Sequence, residues 1–522
     1  MCFDFAQHER RVVISAPLRH CPTLMTYDLL IVGGGINGCA IAREAALNGL
    51  SVLLVERDDL ASHTSSASTG LIHGGLRYLE QYDFRLVAEA LRERERLLKA
   101  APHLIRPMLF VLPHENAVRP WWMVRAGLVL YDLLGGRISL PRSRGLRKRD
   151  TAFTAPLKGG ARGFVYSDAQ VDDARLTIAN ALDAAANGAE VATRTALISA
   201  RREGDGWRAT LSDGRDVAAR AVVNAAGPWV GEALGKLGIN ASGGVRLVKG
   251  SHIVVPRLYE GDHAYMLQLP DRRIVFAVPY RGMTEIGTTD VPVDRPEDAR
   301  ISADEIAYLC DAANAHFTKQ IAPADVVSTW SGVRPLYDDG ASEAQVVSRD
   351  YVLEMDANGP ALLSVFGGKI TTARHLAEEA LAKLAPTLGF QAKRVTRDRP
   401  FPGGAIGEWD AFVANVAARW PLLGSARAAR MAHAYGTELF AMLAEVRDEA
   451  GMGRAFGAGL TEVELRWMRD REWATTAADA LERRSKLGLA MTAAERDAVA
   501  EWFDGQRSAA AVHHLDQHVP GL

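Results

Sequence analysis

The chain has 522 residues, 48% hydrophobic and 24% charged, a length that predicts two or three domains and a composition that argues against wholesale disorder. Lys and Arg total 61 against 63 Asp and Glu, and the resulting charge of −2 argues against a dedicated nucleic-acid binder. The four cysteines, Cys2, Cys21, Cys39 and Cys310, form no C-x-x-C pair, so neither a disulfide scaffold nor a metal site is expected and a reducing compartment fits.

Residues 1–24 read as an N-terminal extension, expected to be disordered, with Met25 standing just before the first strong strand. Tyr27–Val32 is an apolar run suited to a buried parallel strand, followed by a glycine-rich turn and a helix over Cys39–Asn48 that stops at Gly49. Ser51–Val55 is a second buried strand, which completes a βαβ unit. No stretch reaches the roughly 18 apolar residues of a membrane span. The most apolar short run, Ala126–Tyr131, is bounded by Arg125 and Asp132. Further along, a helix over Val171–Asn187 and a strand over Ala189–Thr195 are predicted. A hairpin over Trp207–Leu211 and Asp216–Ala219 follows, then a separate buried strand over Arg220–Asn224. Gly250–Pro256, Arg273–Val278 and Thr284–Thr288 alternate like the antiparallel strands of an inserted, substrate-covering sheet. Beyond Phe401–Gly404 the chain is Ala-, Glu- and Arg-rich with helical periodicity, a separate helical domain.

The expected organisation is therefore a discontinuous nucleotide-binding domain over 25–105, 160–245 and 325–397. Capping or membrane-contact segments fill 106–159 and 246–324, and a C-terminal helical domain fills 398–522.

Gly33-x-Gly35-x-x-Gly38 sits between the first strand and helix. Its glycines permit a tight turn, a close approach of backbone to pyrophosphate, and helix–strand packing, while the helix N-terminus favours phosphate. Glu56, 18 residues after Gly38, can accept hydrogen bonds from a ribose. The fingerprint alone does not separate FAD from NAD. Asn224–Trp229, with Ala226 and Gly227, and Phe366–Thr372, with Gly367 and Gly368, are two further small-residue turns after buried segments. The backbone amides of the second can meet an anion or the polar edge of a flavin. A near match at Gly451-x-Gly453 has the wrong spacing and reads as a turn.

These features resemble the FAD-dependent glycerol-3-phosphate dehydrogenase family, the respiratory, aerobic type. The matching stretches are Ile31–Gly38, Thr64–Glu80 (with H-G-G-L-R-Y-L-E), Lys249–Pro256, Gly287–Val291, Ser331–Leu336 and Leu363–Thr372, and the likeness runs over roughly residues 25–520. Gly70 stands where the family usually has Lys. The resemblance implies an α/β fold: a glutathione-reductase-like FAD-binding Rossmann domain, an inserted antiparallel-sheet substrate domain and a C-terminal helical domain. It also implies a homodimer attached peripherally to the cytoplasmic face of the inner membrane, with membrane quinone as electron acceptor.

Oxidising a secondary alcohol with flavin requires hydride transfer to N5, a base for the hydroxyl proton, and cations for the phosphate. Arg334 in S-G-V-R-P, Arg77 and Lys369 are the implied phosphate or flavin contacts, since the guanidinium fork suits a phosphate. His252 is the candidate base, His73 its rival or a flavin contact with Gly74, Tyr78 a substrate contact, and Asp290 an orienting carboxylate. Asn37, Arg57, Ser65, Ser66, Ser68, Trp229 and Thr371 complete the expected cofactor contacts. Arg137–Arg149 carries six basic residues and no acidic one, and follows Pro120-Trp121-Trp122-Met123, a pattern that suits an anionic membrane face. An oxygen-using oxidase, a dehydrogenase of another polyol phosphate, and a non-enzymatic flavin-bound assembly protein are the alternatives.

Overall fold

The structure is a computed structural model that describes residues 25–115, 119–136, 139–159, 162–239, 244–338 and 351–516. The expected extension at 1–24 and Arg137 of the basic segment lie outside the described residues.

Two large sheets and a helical domain make up the fold. The first sheet has a parallel centre. Met25–Val32 pairs on one side with Val52–Val55 and on the other with Asp216–Asn224, which pairs in turn with Leu362–Phe366. These strands are apolar because both faces are covered, the condition for a parallel sheet. The helix Ile36–Leu47 begins inside the G-x-G-x-x-G turn and packs between Asp173–Ala186 and Ala373–Leu388. It is rich in Ala, which lets three helices pack closely on the strands.

Asp216–Asn224 is one strand, not the two predicted. Its first half pairs antiparallel with Gly206–Leu211 and its full length pairs parallel with Met25–Val32, so hairpin and central strand are continuous. The alternating pattern of Asp216–Ala219 and the unbroken apolar run of Ala221–Asn224 reflect a change in burial along one strand, not a chain break.

The second sheet carries ten strands. The three expected antiparallel strands are present as Gly244–Val255, Ile274–Tyr280 and Met283–Gly287. The sheet also recruits Ile105–Pro113, Gly163–Val171 and Ser328–Asp338, so it crosses the boundaries expected at 160 and 325. The helix expected from Val171 starts at Asp173, because Gly163–Val171 is a strand and Asp172 caps the helix by accepting from Arg175 N. Helix Ala303–His316 covers one face of the sheet through Leu309, Cys310, Ala313 and Phe317. The other face meets the nucleotide domain.

The C-terminal domain has its own core around Met431, Tyr435, Leu465, Met468 and Phe503. Its helices include Trp409–Arg419, Gly424–Tyr435, Glu462–Glu472 and Ala493–Asp516, and one small strand pair, Ala455–Gly457 with Leu460–Thr461, interrupts them. The Gly451–Gly453 turn leads into that pair.

Candidate active site

The glycine fingerprint is built by backbone contact. A Cβ on Gly38 would lie 1.9 Å from Gly33 O, and one on Gly33 would lie 2.5 Å from Ala225 O, with Gly33 itself at φ +114. Turn, helix and the end of Asp216–Asn224 are thus in contact through main chain alone. Glu56 Oε2 accepts from Gly34 N at 2.6 Å and Oε1 from Asp58 N at 2.9 Å, which fixes the carboxylate at the end of the second strand. Ser65 Oγ accepts from Ile36 N at 2.9 Å, at the start of the first helix. Asn37 Nδ2 donates to Gly367 O at 3.0 Å, while its Oδ1 is buried with no partner from the chain.

One cleft is lined by Gly33, Gly35, Asn37, Glu56, Arg57, Ser65, Ala226, Gly227, Trp229, Gly367 and Gly368. Arg57 lies over the Trp229 ring at 4.2 Å, and His63, which no motif marks, meets the same ring at 4.5 Å. A glycine cradle without Cβ atoms, a helix N-terminus, a fixed carboxylate and an orphaned amide oxygen together fit a dinucleotide. Ser66 and Ser68 turn elsewhere. Their hydroxyls donate to His63 O and Asp173 Oδ2, and both residues line a second cleft of about 940 Å³.

The expected substrate residues fall into groups that the register of the large sheet brings to one face. Val248 lies opposite Arg334, Gly250 opposite Gly332, and His252 opposite both Trp330 and Gly287, which is itself opposite Phe276. Directly opposite residues share a face, so Arg334, His252 and Phe276 point the same way. Phe276 approaches His73, with ring centroids 6.4 Å apart. Lys369 Nζ sits 4.0 Å over the Tyr78 ring, and His73 N donates to Thr371 Oγ1 at 3.4 Å. Gly74 N donates to Tyr131 OH at 2.7 Å, and Gly74 has no room for a side chain against Leu91. The side chain of Arg77 lies outside the described residues.

Arg334 is held by Asp290 at 2.9 Å and by Thr289 O at 2.9 Å. Gly250 makes room for it, since a Cβ there would meet Arg334 Nη2 and Thr288 Oγ1. Lys249 of the same strand points to the opposite face and pairs with Glu305 at 2.7 Å.

His252 is 2% exposed, stacks on Trp330, and shares a hydrogen bond with Thr69 Oγ1 at 2.9 Å through Nε2, while its Nδ1 has no partner. Burial, then the nearby Arg334 charge, push its pKa down to about 3. Glu285 lies 3.6 Å from its Nε2, and burial raises that carboxyl to about 8. Burial and then Lys369 bring His73 down to about 4. At neutral pH both imidazoles and Glu285 are uncharged.

Gly38→Ala must displace the Gly33 carbonyl; the dinucleotide dissociation constant of the variant should rise by about tenfold or more, equivalent to at least about 1.4 kcal/mol of affinity. Glu285 holds its proton in the folded state up to about pH 8 but loses it near 4.5 when unfolded. The folded state therefore binds the extra proton between these values, and stability falls as pH rises through this window. Glu285→Gln should remove that slope: its melting temperature relative to the parent should climb from pH 5 to pH 8, and a constant difference would refute the neutral, buried carboxyl.

Two family models match the chain. Residues 28–374 match "FAD dependent oxidoreductase" and residues 394–505 match "C-terminal domain of alpha-glycerophosphate oxidase". The chain is 50% identical to a glycerol-3-phosphate dehydrogenase of Pseudomonas aeruginosa, over 93% of this chain and 96% of that one. It is 47% identical to a D-erythritol 1-phosphate dehydrogenase of Brucella abortus, over 92% and 98% respectively. Among solved structures, the glycerol-3-phosphate dehydrogenase of Bacillus halodurans complexed with FAD aligns with a TM-score of 0.73 at 27% identity, covering 92% of this chain and 91% of that one. The chain is an FAD-dependent oxidoreductase, and it belongs to the FAD-dependent glycerol-3-phosphate dehydrogenase family.

Proposed function

We propose that this chain oxidises sn-glycerol 3-phosphate to dihydroxyacetone phosphate and that the electrons pass to a membrane quinone. The observation that carries this reading is the single sheet face shared by Arg334, His252 and Phe276, with Phe276 reaching His73 of the turn whose Tyr78 ring lies under Lys369. FAD, when bound, supplies the ring that accepts hydride at N5.

The chain's own residues do the rest. Gly33, Gly35, Asn37, Ser65 and Glu56 would hold the dinucleotide, together with Gly367 and Gly368, which line the same cleft. Arg334, already oriented by Asp290, offers its fork to the phosphate, assisted by Arg77 and Lys369. Tyr78 supports the ammonium of Lys369 by its ring face. His252 takes the hydroxyl proton; its neutral state keeps an accepting ring nitrogen ready, and Thr69 and Trp330 fix the plane of the ring. Phosphate binding would orient the carbinol carbon toward the acceptor, for which near-attack geometry requires roughly 3–3.5 Å.

Delivery to quinone requires a membrane-facing surface. Helix Trp121–Leu134 leaves Trp122 67% and Leu133 60% exposed, and Tyr82 and Phe84 add to the exposed aromatic surface. Arg142, Arg147, Lys148 and Arg149 are exposed after this helix. Apolar and aromatic groups beside cations suit an anionic bilayer surface. The attachment in this reading is peripheral, at the cytoplasmic face and by a homodimer, as the family resemblance implies; among the described residues no helix is long and apolar enough to cross a membrane. The Brucella relative's name, at 47% identity, favours a second reading in which a four-carbon polyol phosphate is the substrate.

Anaerobic titration of the FAD-loaded protein with glycerol 3-phosphate should bleach the flavin, and erythritol 1-phosphate should do so only at much higher concentration; the reverse order would select the second reading. Arg334→Ala should retain FAD and raise the apparent substrate dissociation constant by roughly 10–100-fold, the effect of losing about 1.5–3 kcal/mol of charged hydrogen bonding. Unchanged affinity would remove Arg334 from the phosphate site. Sedimentation with anionic phospholipid vesicles should capture the parent, whereas Trp122→Ser/Leu133→Ser should stay in the supernatant with its flavin intact.

A further inference from the structure

The C-terminal domain docks on the nucleotide domain through several contacts, among them Arg175 with Glu472 and with Ala434 O, and one of its segments ends on the two loops that flank the dinucleotide cradle. Asp479–Arg484 is a π-helical turn, an arrangement that concentrates at functional positions, and Lys486 follows at φ +54. Arg484 is fully buried, and its Nη2 donates to Asp59 Oδ1 at 2.8 Å while Nη1 pairs with the other oxygen. Arg483 Nε donates to the same carboxylate at 2.7 Å. Asp479 in turn accepts from Arg194 at 2.7 Å and from Arg483 at 2.5 Å. Asp59 lies three residues after Glu56, in the turn whose Asp58 N is bound by the Glu56 carboxylate.

Lys486 holds the second loop. Its Nζ donates to Asp173 Oδ1 at 2.7 Å and lies 3.1 Å from Asp172. The other oxygen of Asp173 accepts from Ser68 N at 3.2 Å and Ser68 Oγ at 2.7 Å. Ser65, at the head of the first helix, and Thr69, on His252, belong to the same loop. A buried guanidinium–carboxylate cluster adds little net stability over an apolar replacement, but it fixes geometry strictly, because displacing either partner leaves a lone buried charge.

We propose that Asp479–Lys486 is a positioning element of the FAD site: docking of the helical domain sets the Glu56–Asp59 turn and the Ser65–Thr69 loop in their FAD-binding geometry. Docking and FAD binding are then coupled, and each strengthens the other by the same factor. None of these side chains touches the dinucleotide cleft directly; they act through Asp59 and Asp173.

The test uses the full-length chain, deflavinated and reconstituted with FAD, with affinity read from flavin fluorescence. Asp59→Asn/Arg484→Met removes both charges together, so no lone buried charge is left. It should weaken FAD binding by about tenfold or more, and Asp59 with Arg484→Lys should recover part of the loss. Lys486→Met, at the other loop, should weaken FAD binding in the same direction. Arg430→Met/Glu464→Gln removes a comparable buried pair, 2.7 Å apart, that lies wholly within the helical domain. That control should lower the melting temperature and leave FAD affinity unchanged. FAD should also protect the parent, but not the Asp59→Asn/Arg484→Met protein, from proteolysis between residues 389 and 408. If the Asp59–Arg484 double variant does not fold, Lys486→Met/Asp173→Asn, which likewise leaves no lone buried charge, decides in its place. FAD affinity equal to the parent's in that pair, or FAD losses no larger at the clamp than in the control, would overturn the proposal.

Discussion

The molecule depends on one point of main-chain contact. Where the first parallel strand turns into its helix, Gly33, Gly38 and Ala225 approach too closely for any Cβ at either glycine. This closeness lets the helix N-terminus lie at the mouth of the sheet, where unpaired N–H groups and the helix dipole favour an anion. The rest of the cleft is set relative to it: Glu56 is bonded back to Gly34, Ser65 to the start of the helix, and Asn37 to the Gly367 turn more than three hundred residues away.

The placement of Arg334, His252 and Phe276 follows from a different constraint, the period of two along a strand. A ten-stranded sheet packs Ile253, Val255, Tyr265 and Val275 against helix Ala303–His316, and the neighbours of those residues must then face the nucleotide domain. Arg334, Gly250, His252 and Phe276 are those neighbours. Two glycines on this face, Gly250 and Gly287, leave volume that Arg334 and His252 occupy. A charged and an ionisable group are tolerated because each has partners: Asp290 and Thr289 for Arg334, and Thr69 and Trp330 for His252.

Electrostatics divide the site. Around Arg334, charge is retained by pairing with Asp290. Around His252, burial favours neutral forms, with the imidazole lowered to about 3 and Glu285 raised to about 8.

The βαβ unit with its glycine fingerprint was legible in the sequence because it is local: spacing, apolar runs and Glu56 all fall within about 30 residues. Cys39–Asn48 and Tyr27–Val32 sat within a few residues of the observed elements for the same reason. The split of Asp216–Asn224 was misread because burial changes along the strand while the hydrogen bonding continues. The membership of Gly163–Val171 and Ser328–Asp338 in the large sheet could not be read at all, since strand pairing between distant segments leaves no mark on either alone. Likewise, no local pattern marks Asp59 as the seat of Arg483 and Arg484, more than four hundred residues on. The order of residues settles which side-chain types stand in each turn and strand, and so the chemistry available. Which of them share a face, which serine looks into the cleft and which charges are buried came from the folded chain, because these depend on register and on packing between segments far apart in the chain.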